Sequence, residues 1–373
     1  MIIKNSKIKK IEKMNLYIVN LPLVKHFETS FSVQTEREAI IVEIISEGIS
    51  GWGESVTSPD PFYSYETNFT TMEILKKYII PVLKELKDFT VYDFINAVSR
   101  IRGYNMAKAA VENALLDLVA KLNSLPLYKL IGGKRRKIMS GISIGLKKET
   151  SELVDSIKKA LEKKYHRIKI KIKKGRDVDI VKEVRKNFPD IKLMVDANSD
   201  YKLSDIKILK KLDEYNLMMI EQPLSYYDIY KHSLLQRELK TPICLDESIK
   251  NLSDVKTAIA LNSCKIINIK QGRVGGILNA MAIAEESFKN RIKIWSGGML
   301  ETGIGRAFNI HLQTLDYFTL PGDTSETSRY FTEDIAEPSV RLESDGFIEI
   351  PSEGSGIGVN VLKERLGKPV FSY

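Results

Sequence analysis

Cysteine and histidine are scarce in this chain, with two and four copies among 373 residues. Cys244 and Cys264 lack CxxC spacing, which leaves no disulfide framework and no thiolate zinc site. No apolar run reaches the roughly 20 residues needed to cross a bilayer. The opening stretch MIIKNSKIKKIEK is basic but lacks the apolar core and small-residue cleavage site of a secretory leader. A cytoplasmic location is expected. Low-complexity and collagen-like bias are absent too. Lysine plus arginine exceed aspartate plus glutamate by 57 to 48, a net charge of +9, yet no basic block forms. The basic residues are interleaved with acids on helical segments such as SIKKALEKK, the pattern of a solvated surface. Neither a nucleic-acid nor a membrane partner is expected.

What the chain does have is a ladder. Five short apolar runs each end in a charge: RIKIK at Lys171, IKLMVD at Asp196, LMMIE at Glu221, TPICLD at Asp246 and KIINIK at Lys270. The steps are 25, 25, 25 and 24 residues. A buried parallel strand is a short run of Ile, Leu, Val and Met, and the return to the next one takes a helix and two loops. Each step is therefore one βα unit. In a (β/α)₈ barrel the C-terminal strand ends share one mouth, so two lysines and three carboxylates meet there. Three neighbouring carboxylates repel unless a cation neutralises them. Oxygen-only ligands favour Mg²⁺, with Mn²⁺ second, over zinc. A proton α to a carboxylate is weakly acidic, and a divalent ion on that carboxylate stabilises the enediolate its removal leaves. The base must be partly neutral near pH 7, whereas lysine starts at about 10.4. Lys169, two residues before Lys171 on the same strand face, would lower it by like charge.

Around the ladder the chain divides into three parts. Residues 1–130 are an α+β capping domain, with strands in LYIVNLPL, EREAIIVEII and EGISGWGES, a loop 20–35, and helices in TTMEILKKYIIPVLKEL and MAKAAVENALLDLVAKLN. Residues 131–325 form a modified (β/α)7β TIM-type barrel, an α/β fold, from SGISIG to a closing eighth strand near Tyr317–Leu320. Residues 326–373 are turn-rich and are expected to pack back on the capping domain.

These residues resemble the enolase superfamily in its muconate-cycloisomerase-like branch, nearest the o-succinylbenzoate synthase and N-acylamino acid racemase family. The resemblance rests on TSF, GWGES, NMAKAAVENALLDL and GGK in the first domain. In the barrel it rests on GISIG, RIKIKI with KGRD, DAN, EQP, LDES, IKQGRVGG, GGMLETGIGRA and LPGD. It implies a lyase or isomerase with Lys171 as acid/base and Lys169 as its KxK partner. Asp196, Glu221 and Asp246 become Mg²⁺ ligands backed by Asn198 and Glu247, and Lys270 the opposing acid/base or a cation steadying the enediolate. It implies a pocket lined by Ser143, Gly298, Met299 and Glu301, a lid carrying Phe27 and Phe31, and Arg273 close by. The substrate is a small carboxylate and the assembly a homo-oligomer. Gln271 where proline is usual, Ser296 for cysteine and Phe308 for histidine depart from the pattern and bear on substrate.

Dehydration to o-succinylbenzoate, a menaquinone precursor, and racemisation of N-acylamino acids share the first proton abstraction, and the sequence leaves both open. Dipeptide epimerases also use two lysines, but the DxD motif they place at the eighth strand is missing between Tyr317 and Ser325. The histidines (His26, His166, His232, His311) end none of the strands, against a histidine base. A non-catalytic basic binding protein is the rival from another class; it would show salt-dependent nucleic-acid affinity and no need for Mg²⁺.

Overall fold

A computed structural model describes residues 2–28, 33–351 and 354–373. The first unit is a long hairpin, Lys13–Glu28 against Val33–Ser46, extended by the strand Ile49–Ser55. The loop expected over 20–35 is mostly strand: the pairing runs past Pro22 through an irregularity and resumes at Phe27↔Gln34. This sheet lies on the helix Asn105–Leu122. GWGES explains how closely. A β-carbon at Gly51 would sit 2.1 Å from the Ala114 carbonyl, and one at Gly53 2.0 Å from that of Ala110. Only glycine permits that approach of strand to helix, and the alanines facing it complete the fit.

Seven parallel strands follow in sequential order: Ile142–Ile144, Ile168–Lys171, Leu193–Asp196, Ile220–Glu221, Ile243–Leu245, Ile266–Ile269 and Lys293–Ser296. They are buried on both faces, hence their continuous Ile, Leu, Val and Met. The expected eighth strand is not a strand. The segment after Tyr317 touches both sheet edges through single bridges, Ile294↔Phe318 and Ser140↔Gly322. Pro321 has no N–H to donate, and Arg135 binds the carbonyls of Gln313, Asp316 and Phe318, so a regular ladder cannot form.

Helices expected between the strands are present, including Thr150–Glu162, Val178–Asn187, Ile229–Glu238, Leu252–Leu261 and Ile277–Lys289. One was not expected, Gly303–Leu312, every residue of which is buried. Gly303 and Gly305, poor helix formers, stand in its first turn and mask it in the sequence. The last strand, Phe371–Ser372, pairs with the first hairpin strand at Asn15 and Leu16. No helix among the described residues is long and apolar enough to cross a membrane.

Candidate active site

Beneath the site the barrel is filled by Met194, Met219, Cys244, Ile266 and Trp295. Above that apolar floor the ladder charges stand side by side. Strand register pairs Lys171 with Asp196 and Asp196 with Glu221. Asp246 and Lys270 each follow their strand by one residue. Lys171 Nζ donates to Asp196 Oδ2 at 2.8 Å and to Asn198 Oδ1 at 2.5 Å. Lys270 Nζ donates to Asp246 Oδ2 at 2.8 Å. Lys169 Nζ lies 3.0 Å from Glu221 Oε2, 3.3 Å from Asp196 Oδ2 and 2.8 Å from Asp323 Oδ2. Asn198 Nδ2 donates to Glu247 Oε1 at 3.1 Å, and Asn268 Nδ2 to Glu221 Oε1 at 2.7 Å.

Burial sets the electrostatics. It pushes Glu221 up to about 8, helped by the charge of Asp196, and Glu247 up to about 7, helped by Asp246. Burial would also raise Asp196, but Lys171 and Lys169 hold it below the usual carboxylate range. On Asp246 the same pull is outweighed by Arg273 and Lys270. Burial lowers Lys169 and Lys270, and the acids reverse it: Asp323, Glu221 and Asp196 keep Lys169 well above an ordinary lysine, and Asp246 with Tyr63 raises Lys270. In this arrangement both are ammoniums.

The main cavity opens over these groups and is lined by Ser143, Lys169, Lys171, Asp196, Asn198, Lys270, Gly298, Met299 and Glu301. Glu301 is fixed by Met299 N and Asn309 Nδ2, each donating at 2.8 Å. Glu221, Asp246 and Glu247 lie beneath and are buried. Arg273, which the resemblance placed close by, does not line the main cavity. Its guanidinium is pulled inward to Asp246 and donates to the carbonyls of Ile249 and Asn268. Phe31 lies outside the described residues, as does the side chain of Phe27.

Residues 13–132 match the family described as "Mandelate racemase / muconate lactonizing enzyme, N-terminal domain", and residues 152–365 match "Enolase C-terminal domain-like". The chain belongs to the enolase superfamily. It is 45% identical over 357 residues to o-succinylbenzoate synthase of Geobacillus kaustophilus, covering 95% of each chain. It is 42% identical to N-succinylamino acid racemase of Thermus thermophilus, covering 94% of this chain and 95% of that one. A solved enolase-superfamily structure from Listeria innocua superposes with a TM-score of 0.93 at 40% identity, over 98% of both chains. The chain is thus an enzyme of this superfamily, of the lyase and racemase kind that these relatives represent.

A divalent cation is what the superfamily implies at the strand ends. Among the described residues no three acids close on one point, because lysines pair with them first. The donors nevertheless suit an oxygen-seeking ion. Glu247 Oε2 is buried without a partner, and Glu221 is raised by burial and by Asp196, the strain a cation would relieve. The residues fit the group.

Sequence reasoning missed several residues of this site, among them Asp323, Arg306 and Tyr63. Asp323, in LPGD, accepts from Ser143 Oγ at 2.8 Å and pairs with Lys169 and Arg167. Arg306 lines the cavity from the unexpected helix, and Tyr63 reaches it from the capping domain. LPGD and GGMLETGIGRA carried a signal, each having been quoted for family likeness without a role for Asp323 or Arg306. Of the departures, Gln271 accepts from Asn113 of the capping helix at 3.0 Å, Ser296 Oγ is buried without a partner, and Phe308 is core.

Proposed function

We propose that this enzyme removes the proton α to a carboxylate, with Lys171 and Lys270 facing the reacting carbon from opposite sides. The carrying observation is one ring of strand ends holding two lysines with three acids between them, opening into a single cavity. Asp196, Glu221 and Asp246 would hold Mg²⁺ or Mn²⁺, with Asn198 and Glu247 orienting them. A bound divalent ion supplies charge stabilisation for the enediolate. Lys169, held cationic by three acids, contributes a fixed positive charge to the same developing charge. Asp323 keeps Lys169 and Ser143 in place. Glu301, Gly298 and Met299 form the wall that meets the rest of the substrate, and Gln34 of the hairpin lines the same cavity.

The first reading is o-succinylbenzoate synthase, in which a β-hydroxyl leaves after proton removal. The second is racemisation of N-succinylamino acids, favoured by a lysine on each side and by the name of the Thermus relative. A dipeptide epimerase reading is weaker, because the one acid between Tyr317 and Ser325, Asp323, is already bound by Arg167, Lys169 and Ser143. The test is a paired assay with Mg²⁺: ultraviolet-monitored dehydration of the cyclohexadiene carboxylate, and polarimetry on N-succinylamino acids. Activity in at least one arm, abolished by EDTA and restored by Mg²⁺, is expected. Activity in neither, or full activity after chelation, overturns the proposal.

A further inference from the structure

The two lysines are not held alike. The polar contacts of Lys171 among the described residues, Asp196 and Asn198, both come from the barrel. Lys270 has a partner from the capping domain. Its Nζ lies 3.1 Å from the Tyr63 hydroxyl, 207 residues away in sequence, and 4.7 Å from the centroid of that ring. The same hydroxyl accepts from Arg273 Nη1 at 3.0 Å. Accepting from both uses both lone pairs of the oxygen. A phenol so engaged is fixed in place, and its ring face gives the ammonium a second, directional attraction. Tyr63 also lines both the main cavity and a smaller one bounded by Glu247, Arg273, Tyr226 and Lys250. It therefore forms a wall on the Lys270 side.

We propose that Tyr63 is the positioning residue for Lys270, so that the capping domain helps to set one of the two proton-transfer groups while the other, Lys171, is held by barrel side chains. The inference rests on the α-proton reading above. An off-line base loses up to about 10²-fold in rate for roughly an ångström of misplacement, so the effect of losing the hydroxyl is confined to one face.

The experiment follows α-deuterium incorporation in D₂O with Mg²⁺, using each enantiomer of an N-succinylamino acid separately. Lys270→Ala and Lys171→Ala identify which enantiomer each lysine serves. Tyr63→Phe is expected to slow exchange of the Lys270 enantiomer by about tenfold or more and to leave the other within about twofold, with an unchanged melting temperature. Tyr63→Met, which removes the ring as well, should widen the same asymmetry. Equal slowing of both enantiomers, or no change in either, overturns the inference while leaving the α-proton reading intact. A parent enzyme that exchanges neither enantiomer overturns that reading, and this inference with it.

Discussion

Gln222 has a φ of +38°, in a region that residues bearing a β-carbon rarely enter. Its side chain explains why it stays there. Oε1 accepts from Asp246 N at 3.0 Å and Ser248 N at 3.2 Å, while Nε2 donates to Ser248 Oγ at 2.7 Å and to Leu224 O at 3.1 Å. One glutamine thus ties the end of the Glu221 strand to the end of the Asp246 strand. Gln222→Ala leaves buried N–H groups unpaired, at about 1–3 kcal/mol, and loosens two of the proposed ion ligands. A lower melting temperature and Mg²⁺ binding weakened by about 10-fold or more are expected, the second by calorimetric titration. Parental affinity would show that Gln222 does not orient the acids. For the lysines, Lys171→Ala and Lys270→Ala should each cut turnover by about 10²–10⁴-fold, measured at saturating Mg²⁺. If both turn over at the parent rate, neither is the base. These five ladder residues were legible because strand ends repeat at a fixed spacing. Tyr63, Asp323 and Arg306 were not, since they arrive from loops and from a helix with no period linking them to the ladder.

At the level of elements, three buried glutamates cap the N-termini of helices from elsewhere in the chain. Glu66 accepts from Asn105 N and Met106 N at 2.9 and 2.8 Å. Glu54, of GWGES, accepts from Thr302 Oγ1 at 2.7 Å and Gly305 N at 3.0 Å, and so pins the helix Gly303–Leu312. Glu112 accepts from Leu278 N at 2.8 Å and caps Ile277–Lys289. Each satisfies N–H groups with no partner inside their own helix. Burial pushes Glu54 and Glu66 up to about 7 and Glu112 to about 8, from 4.5. A carboxyl raised on folding binds its proton more tightly in the native state. Its contribution is complete below pH 4.5 and is lost as pH rises toward 8. Glu112→Gln removes that titration whatever constant penalty it adds. The difference in melting temperature, variant minus parent, is therefore expected to become more positive from pH 5 to pH 8. A constant difference would mean that Glu112 is ionised throughout. None of these caps was readable in sequence, because cap and capped helix lie far apart in the chain; Glu112 even sits inside an Ala- and Leu-rich helix, where it reads as one more helix former. The missed helix has another cause: Gly303 and Gly305, poor helix formers, stand in its first turn.

Across the whole molecule, polar bridges join cap and barrel beside an apolar core that the two units share. Glu54 and Glu112 reach from cap to barrel helices. Asn113 donates to Gln271, and Asn105 Nδ2 to the carbonyls of Lys250 and Arg273 at 2.9 and 3.2 Å. The chain end strengthens it, with Tyr373 and Met14 exchanging backbone hydrogen bonds at 2.9 and 3.1 Å. The barrel was legible from its rhythm and the cap from its strand and helix patterns. Their joint was not, because its polar contacts are single ones between residues without periodicity, set beside an apolar core that runs through both units. Its energetics make a definite forecast. Were the cap to unfold alone, the barrel helices at Ile277 and Gly303 would lose the carboxylates that cap them. Glu54 and Glu112 would in turn leave the capped sites for water. Each buried group left unpaired costs about 1–3 kcal/mol, and several of them together are comparable with the whole stability of a domain, about 5–15 kcal/mol. Partial unfolding is thus penalised at the seam, and cap and barrel should melt as one. Scanning calorimetry of the full chain is expected to show a single transition with matching calorimetric and van't Hoff enthalpies. Two resolved transitions would mean that the contacts across the seam are too weak to couple the units, and that Tyr63 hangs over Lys270 from a domain free to leave it.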